Sequence, residues 1–173
     1  VDGVPQPVIV QKTPSYLDGD AFYRMVDVQK GDLVIDLSGN LVALQAGVQV
    51  QPAGCKSNDC ALSWDGENAL QMDQLVLQYH LLPGITWSDG VKLSAQDSVY
   101  SFQISSDRST PASRQSVQRT ASYQALNDET VEWVGLPGFF PQDLSDYFWI
   151  PLPEHALNHL SASDLITNEL ASR

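Results

Sequence analysis

The stretch Leu75 to Phe102, LVLQYHLLPGITWSDGVKLSAQDSVYSF, constrains the fold more than any other part of this chain. Leu75, Leu77, Tyr79 and Leu81 alternate with Val76, Gln78, His80 and Leu82. That two-residue period predicts a strand with one strongly apolar face. Pro83 and Gly84 end it, because proline cannot donate to a ladder and glycine relaxes the backbone. Ile85 to Trp87 reads as a short extended segment, and Ser88-Asp89-Gly90 as a turn with glycine at a positive-φ position. Ser94 then offers an acceptor to an exposed helix N–H. Asp97, three residues on, gives the spacing of a capping box, with Asp in place of Glu or Gln. From Ala95 the spacing predicts a helix with Ala95, Val99 and Phe102 on its apolar face and Gln96, Ser101 and Gln103 turned away.

Around this unit the chain divides into two stretches. Residues 1–69 read as a β-rich meander: Phe22 to Val28, Leu33 to Leu37, Leu41 to Leu44 and Val48 to Gln51 are short apolar runs. Lys30-Gly31-Asp32, Ser38-Gly39-Asn40 and Ala46-Gly47 supply the turns between them. A short Cys55–Cys60 loop follows, then a mobile turn at Trp64 to Glu67. Residues 70–173 alternate strand and helix, with a Ser/Arg/Gln-rich connection from Ser105 to Thr120 and a second strand from Thr130 to Leu136. Short helices are expected near Pro141 to Tyr147, Pro153 to His159 and Ala162 to Leu170; Ser161 and Asp164 repeat the capping spacing. The fold class is α+β.

Charge excludes some functions. Twenty-one acidic against nine basic side chains give a formal charge of −12, which repels phosphate backbones and anionic lipid. Nucleic acid is therefore no partner. No apolar run approaches the roughly 20 residues of a membrane span. The start at Val1 reads as that of a mature or excised segment. Serine is plentiful, yet no G-x-S-x-G elbow or S-x-x-K gives a nucleophile its framework, so the chain reads as no enzyme. His155 and His159 stand four apart, but Ala156 occupies the position where a zinc-protease helix needs Glu, and two surface histidines are the expectation. Asp18-Gly19-Asp20 lacks the further oxygens of a calcium loop and reads as a solvated turn. Neither metal nor cofactor is expected. Trp87 and Trp133 are expected in the core; Trp149, beside Tyr147 and Phe148, fits either a core or a cleft wall.

The run Gly84 to Gly90, a spacer, and Leu93 to Phe102 resembles the signature region of family 5 extracellular solute-binding proteins, the oligopeptide-, dipeptide- and nickel-binding receptors of ABC importers. Asn127 to Glu132 is similar to that family's turn-then-strand segment. Pro151-Leu152-Pro153-Glu154-His155 is similar to its "P-x-P-K-H" step, with Glu154 where a basic residue is common. The resemblance covers residues 70–173; residues 1–69 read as an elaboration or, in a competing view, as a self-standing carbohydrate-binding or adhesion module. It implies a mixed subdomain in the larger lobe of a two-lobed receptor that closes around an oligopeptide or other small solute and delivers it to a membrane permease. The second lobe would lie beyond Arg173. In peptide-binding relatives the loop after the signature helix approaches the ligand. The corresponding Pro111, Ala112, Ser113 and Arg114 do not match residue for residue. Ser113 and Arg114 are nonetheless ligand candidates with Trp149, Arg114 because guanidinium suits a carboxylate; an exposed loop arginine is the plainer reading. The implied location is extracytoplasmic, periplasmic or at the cell surface, with a lipid anchor compatible. There the four polar residues between Cys55 and Cys60 allow a disulfide, free thiols being the alternative.

Overall fold

A computed structural model describes residues 9–110 and 114–167. Along the chain run β1 (Ala21–Val28), β2 (Leu33–Ile35), β3 (Leu41–Ala43), β4 (Gln49–Val50), β5 (Leu62–Ser63) and β6 (Leu70–His80). They are followed by α1 (Ala95–Ser106), α2 (Gln115–Gln118), β7 (Thr120–Asn127), β8 (Thr130–Gly135), α3 (Glu154–Leu157) and α4 (Ala162–Thr167). The end of the last helix expected from the sequence, up to Leu170, lies outside the described residues. The molecule is α+β, built on one antiparallel sheet of order β1-β6-β8-β7 with two small hairpins, β2-β3 and β4-β5.

β6 is the strand announced by the alternation at Leu75, and it is buried more fully than a one-faced strand would be. Leu75, Leu77 and Tyr79 point to one face and join Ala95, Val99, Tyr123, Val131 and Trp133 in the larger core. Leu70 and Met72, of opposite parity, point to the other face and join Val28, Val34, Leu44, Val50 and Trp64. Even Val76, placed by alternation on the weaker face, is buried, because the register sets it between Phe22 of β1 and Val134 of β8. One strand thus feeds two cores on opposite faces, which alternation alone does not reveal.

The strands before residue 69 do not pair as one consecutive meander. β1 pairs with β6 from Ala21↔Leu77 to Val28↔Leu70, so the main sheet crosses the line that the sequence draws between residues 69 and 70. The hairpins β2-β3 and β4-β5 cover the second core, which they share with Leu70 and Met72. Five of the seven buried residues of that core come from the first stretch, and Leu70 and Met72 of β6 complete it. Trp64 anchors this region and corrects the expectation of a mobile turn: it is 5% exposed, and its indole N–H donates to the Asn68 carbonyl at 2.8 Å. Gly138 locks the segment after β8 beside it. Its φ is +81°, and a Cβ there would stand 2.7 Å from the Ile35 oxygen and 2.8 Å from the Met72 methyl. Only glycine meets both demands.

On the opposite face α1 packs against β7 and β8. Ser94 and Asp97 close its N-terminus as a capping box. Ser101 does not face solvent as the helical wheel suggests. It is 4% exposed and its hydroxyl donates to the Ile150 carbonyl at 2.7 Å, while Ser98 is bonded to the Tyr123 hydroxyl at 2.7 Å. The segment 147–152 therefore lies along a small polar stripe of α1, held by bonds a hydropathy period cannot register. Phe102, Tyr123 and Trp149 meet edge-on or tilted, with Trp149 4.8 Å from each of the other two rings. Burial pushes the Tyr123 hydroxyl up to about 12, against the lowering effect of the Ser98 bond. Tyr100, Leu157 and Leu165 form a third cluster that docks α3 and α4 on α1.

Candidate functional site

Asp97 is the residue around which the motif segments assemble. It is 5% exposed. One carboxylate oxygen, Oδ2, accepts the Ser94 N–H at 2.9 Å and the Trp87 indole N–H at 3.3 Å. The other, Oδ1, accepts the Glu154 N–H at 3.0 Å. The Asp97 carbonyl accepts the Leu152 N–H at 3.2 Å. A capping side chain, expected only to start a helix, thus ties together the turn at Trp87, the first turn of α1 and the Pro151–His155 step. Three neutral N–H donors plus the positive end of the helix compensate its charge.

The turn beside it is equally determined. Gly90 has φ +87°, which allows the chain to reverse so that the Trp87 N–H reaches the Val91 carbonyl at 2.8 Å. Asp89 caps that reversal by accepting the Val91 N–H at 3.0 Å and meets His155 Nε2 at 2.8 Å. The Val91 N–H first, and His155 second, hold the Asp89 carboxyl below its ordinary range. Between these segments lies an open cleft of about 310 Å³ whose lining includes Lys92, Ser94, Asp97, Glu154, His155 and Asn158. Its walls are charged with both signs, and the Asp97 oxygens are already engaged by donors. The cleft offers polar contacts to a bound group rather than an activated base.

The ligand candidates of the sequence are not gathered there. Arg114 donates to the carbonyls of Ser106 at 2.9 Å and Asp107 at 3.0 Å, so its guanidinium closes the C-terminal end of α1. The cleft lies at the other end, about 18 Å away at ~1.5 Å per helical residue. Trp149 sits between them, half-buried against Phe102 and Tyr123. Ser113, with Pro111 and Ala112, lies outside the described residues. Trp87 is only partly buried, stacked obliquely 6.4 Å from His155, which corrects the expectation of a core position; Trp133 is fully buried. α3 ends at Leu157, so His155 and His159 do not share one helical face. Among the described residues no group of three or more His, Cys, Asp and Glu could hold a metal. Asp18 and Asp20 do not form a merely solvated turn: Lys12 bridges them at 2.6 and 2.7 Å, and Asp20 also meets His80 at 3.4 Å. Cys55 and Cys60 are joined as a disulfide, with Cα atoms 5.7 Å apart. Sequence reasoning misses Ser98 and Ser101 as positioning residues, because their partners lie about 50 positions away and leave no local signal.

A family model described as the middle region of bacterial extracellular solute-binding proteins, family 5, matches residues 57–153. No curated protein matches the chain. Two solved structures are similar. One is the oligopeptide-binding protein AppA of Bacillus subtilis in complex with a nonapeptide, at 17% identity and TM-score 0.44; the match covers 95% of this chain and 29% of that one. The other is an oligopeptide-binding protein of Thermus thermophilus complexed with a pentapeptide, at 10% identity and TM-score 0.38, covering 74% of this chain and 20% of that one. The chain thus spans less than a third of the length of either. The signature turn, the Asp97 junction and the Pro151–Pro153 step all fall within the matched residues, which make up more than half of the sequence, and the chain belongs to the family 5 bacterial extracellular solute-binding proteins.

Proposed function

We propose that this chain is one portion of an extracytoplasmic receptor that captures an oligopeptide or another small solute and hands it to the membrane permease of an ABC importer. The family match over residues 57–153 carries the reading. The shape of the segment is consistent with it. Its cleft at Asp97 is open, whereas a solute site buries most of its ligand in an enclosed cavity. Capture in this reading requires closure of further chain around the solute, with residues 70–173 acting as a wall of the larger lobe. In this reading Arg114 serves as a brace at the C-terminal end of α1. The described residues contain no helix long and apolar enough to cross a membrane.

Uptake by cells tests the proposal. Cells carrying the full-length gene should accumulate labelled oligopeptides, and removing either that gene or its permease should abolish the accumulation. Uptake that persists without the gene, across peptides and other small solutes alike, would reject the role in import.

A further inference from the structure

At the end of the sheet that α1 does not cover, three distant parts of the chain converge on one ammonium group. Asp73 of β6 lies two residues from Leu75 and on the same face, yet it is 6% exposed and stands beyond the helix. Tyr23 of β1 pairs with Leu75, beside it. Phe140 arrives on the segment that Gly138 anchors, since the Gly138 N–H donates to the Asp73 carbonyl at 3.0 Å. The rings of Tyr23 and Phe140 meet edge-on with centroids 5.5 Å apart. Tyr16 stacks on Tyr23 with centroids 5.5 Å apart, and their hydroxyls are bonded at 2.7 Å.

Lys56 fills the space so defined. Its Nζ lies 2.9 Å from Asp73 Oδ2, 4.2 Å from the Tyr23 ring centre and 5.7 Å from that of Phe140. A buried carboxylate beside two aromatic rings is the chemistry that selects an organic cation: the rings attract positive charge through their quadrupoles and the carboxylate supplies the counter-charge. Lys12 and Lys92 also pair with carboxylates, but among the described residues no ring stands over either ammonium. Lys56 is not built into the cage as the other three residues are. It is carried by a surface loop, its side chain is 63% exposed, and the Cys55–Cys60 bridge encloses it. The same loop contributes the Gly54 N–H to Asp73 at 3.0 Å.

We propose that Tyr23, Asp73 and Phe140 form a binding site for an organic ammonium ion, which the chain occupies itself through Lys56, so that the cystine loop is a tethered competitor that must swing aside before an external amine can enter. A tethered group competes at a high effective concentration, and the disulfide keeps it near the site. External amines are therefore excluded from the intact chain at concentrations that would fill the vacated cage. The site is independent of the solute-capture reading and stands or falls separately from it.

The test is chemical rescue. Lys56→Ala should lower the melting temperature, and n-butylammonium chloride should raise it again, relative to sodium chloride at equal ionic strength; butan-1-ol should not. The wild type should show no such amine-specific rise. Adding Tyr23→Leu to Lys56→Ala should weaken amine binding about two- to fivefold, the loss of one partly exposed cation–π partner. Adding Asp73→Asn should abolish it. If Lys56→Ala does not fold, Lys56→Gln, which keeps a donor for Asp73, takes its place in the same titration. An equal response to amine and sodium salt in the variant, or an equal response to amine in variant and wild type, would overturn the proposal.

Discussion

Two buried aspartates, Asp97 and Asp73, are about equally hidden from water and are compensated in opposite ways. Asp97, at 5% exposure, is surrounded by neutral donors: two backbone N–H groups and an indole. Asp73, at 6%, relies on one backbone N–H and on a lysine from a surface loop. The first arrangement belongs to the scaffold, because its partners are fixed by backbone and hold whatever the salt concentration. The second rests on a largely exposed cation and is open to competition and to screening. The rigid aspartate lies within the family signature; the displaceable one also lies within the matched residues, but its lysine partner, Lys56, stands just before them.

The largest effect should come from removing the rigid centre. Asp97→Ala leaves the Ser94 and Glu154 N–H groups and the Trp87 indole without an acceptor, and should cost about 2–4 kcal/mol in urea unfolding with little dependence on salt. Asp97→Asn keeps an acceptor for part of this set and should cost about half as much. Similar losses for the two variants would mean that the negative charge, not the donor geometry, is what matters.

Next in size is the cystine loop. Replacing Cys55 and Cys60 by serine opens a loop of six residues, for which the chain-entropy model gives about 2 kcal/mol. The loss should be accompanied by greater exposure of Tyr23 to a fluorescence quencher, since Lys56 is no longer held over its ring. An unchanged quenching profile would separate the disulfide from the cage. Lys56→Ala should be milder, at or below about 1 kcal/mol, because the lysine is largely exposed and its pairing is screened. That loss should shrink as sodium chloride rises from low to molar concentration, whereas the Asp97→Ala loss should not.

The smallest effect is a pH dependence at the signature turn. Asp89 has its carboxyl lowered in the fold, chiefly by the Val91 N–H and then by His155. A carboxyl lowered on folding adds stability above its unfolded value, near 4, and that contribution disappears as the pH falls through the folded value. Asp89→Asn should therefore lower the neutral plateau of the melting-temperature profile slightly and flatten its acid side between about pH 5 and 3. A steeper acid limb in the variant would contradict the sign.

The same contrast separates what is legible in the sequence from what is not. Asp97 can be recognised from Ser94 three residues away, and the turn at Gly90 from its own dipeptide, since both are local devices. The strands at Phe22, Leu33, Leu41 and Leu75 are readable from period and punctuation. β7 is not, because Thr120 to Asn127 begins in a run of polar residues and becomes a strand only by pairing with β8. Ser98 and Ser101 act on carbonyls of residues 149 and 150, and Asp73 meets a lysine 17 positions earlier, so nothing near them announces the bond. Arg114 is ambiguous in sequence for a chemical reason: a guanidinium suits a ligand carboxylate and a helix's terminal carbonyls equally well, and in this fold it meets the carbonyls of Ser106 and Asp107.

In the function proposed above, this chain holds a wall, not the whole, of a solute site. Calorimetric titration of an oligopeptide pool into the 173-residue chain and into the full-length protein, side by side, tests that claim most directly. The expected result is heat of binding from the full-length protein and none from the chain alone. Binding of equal affinity by both would contradict it, because the ligand would then need nothing beyond these residues.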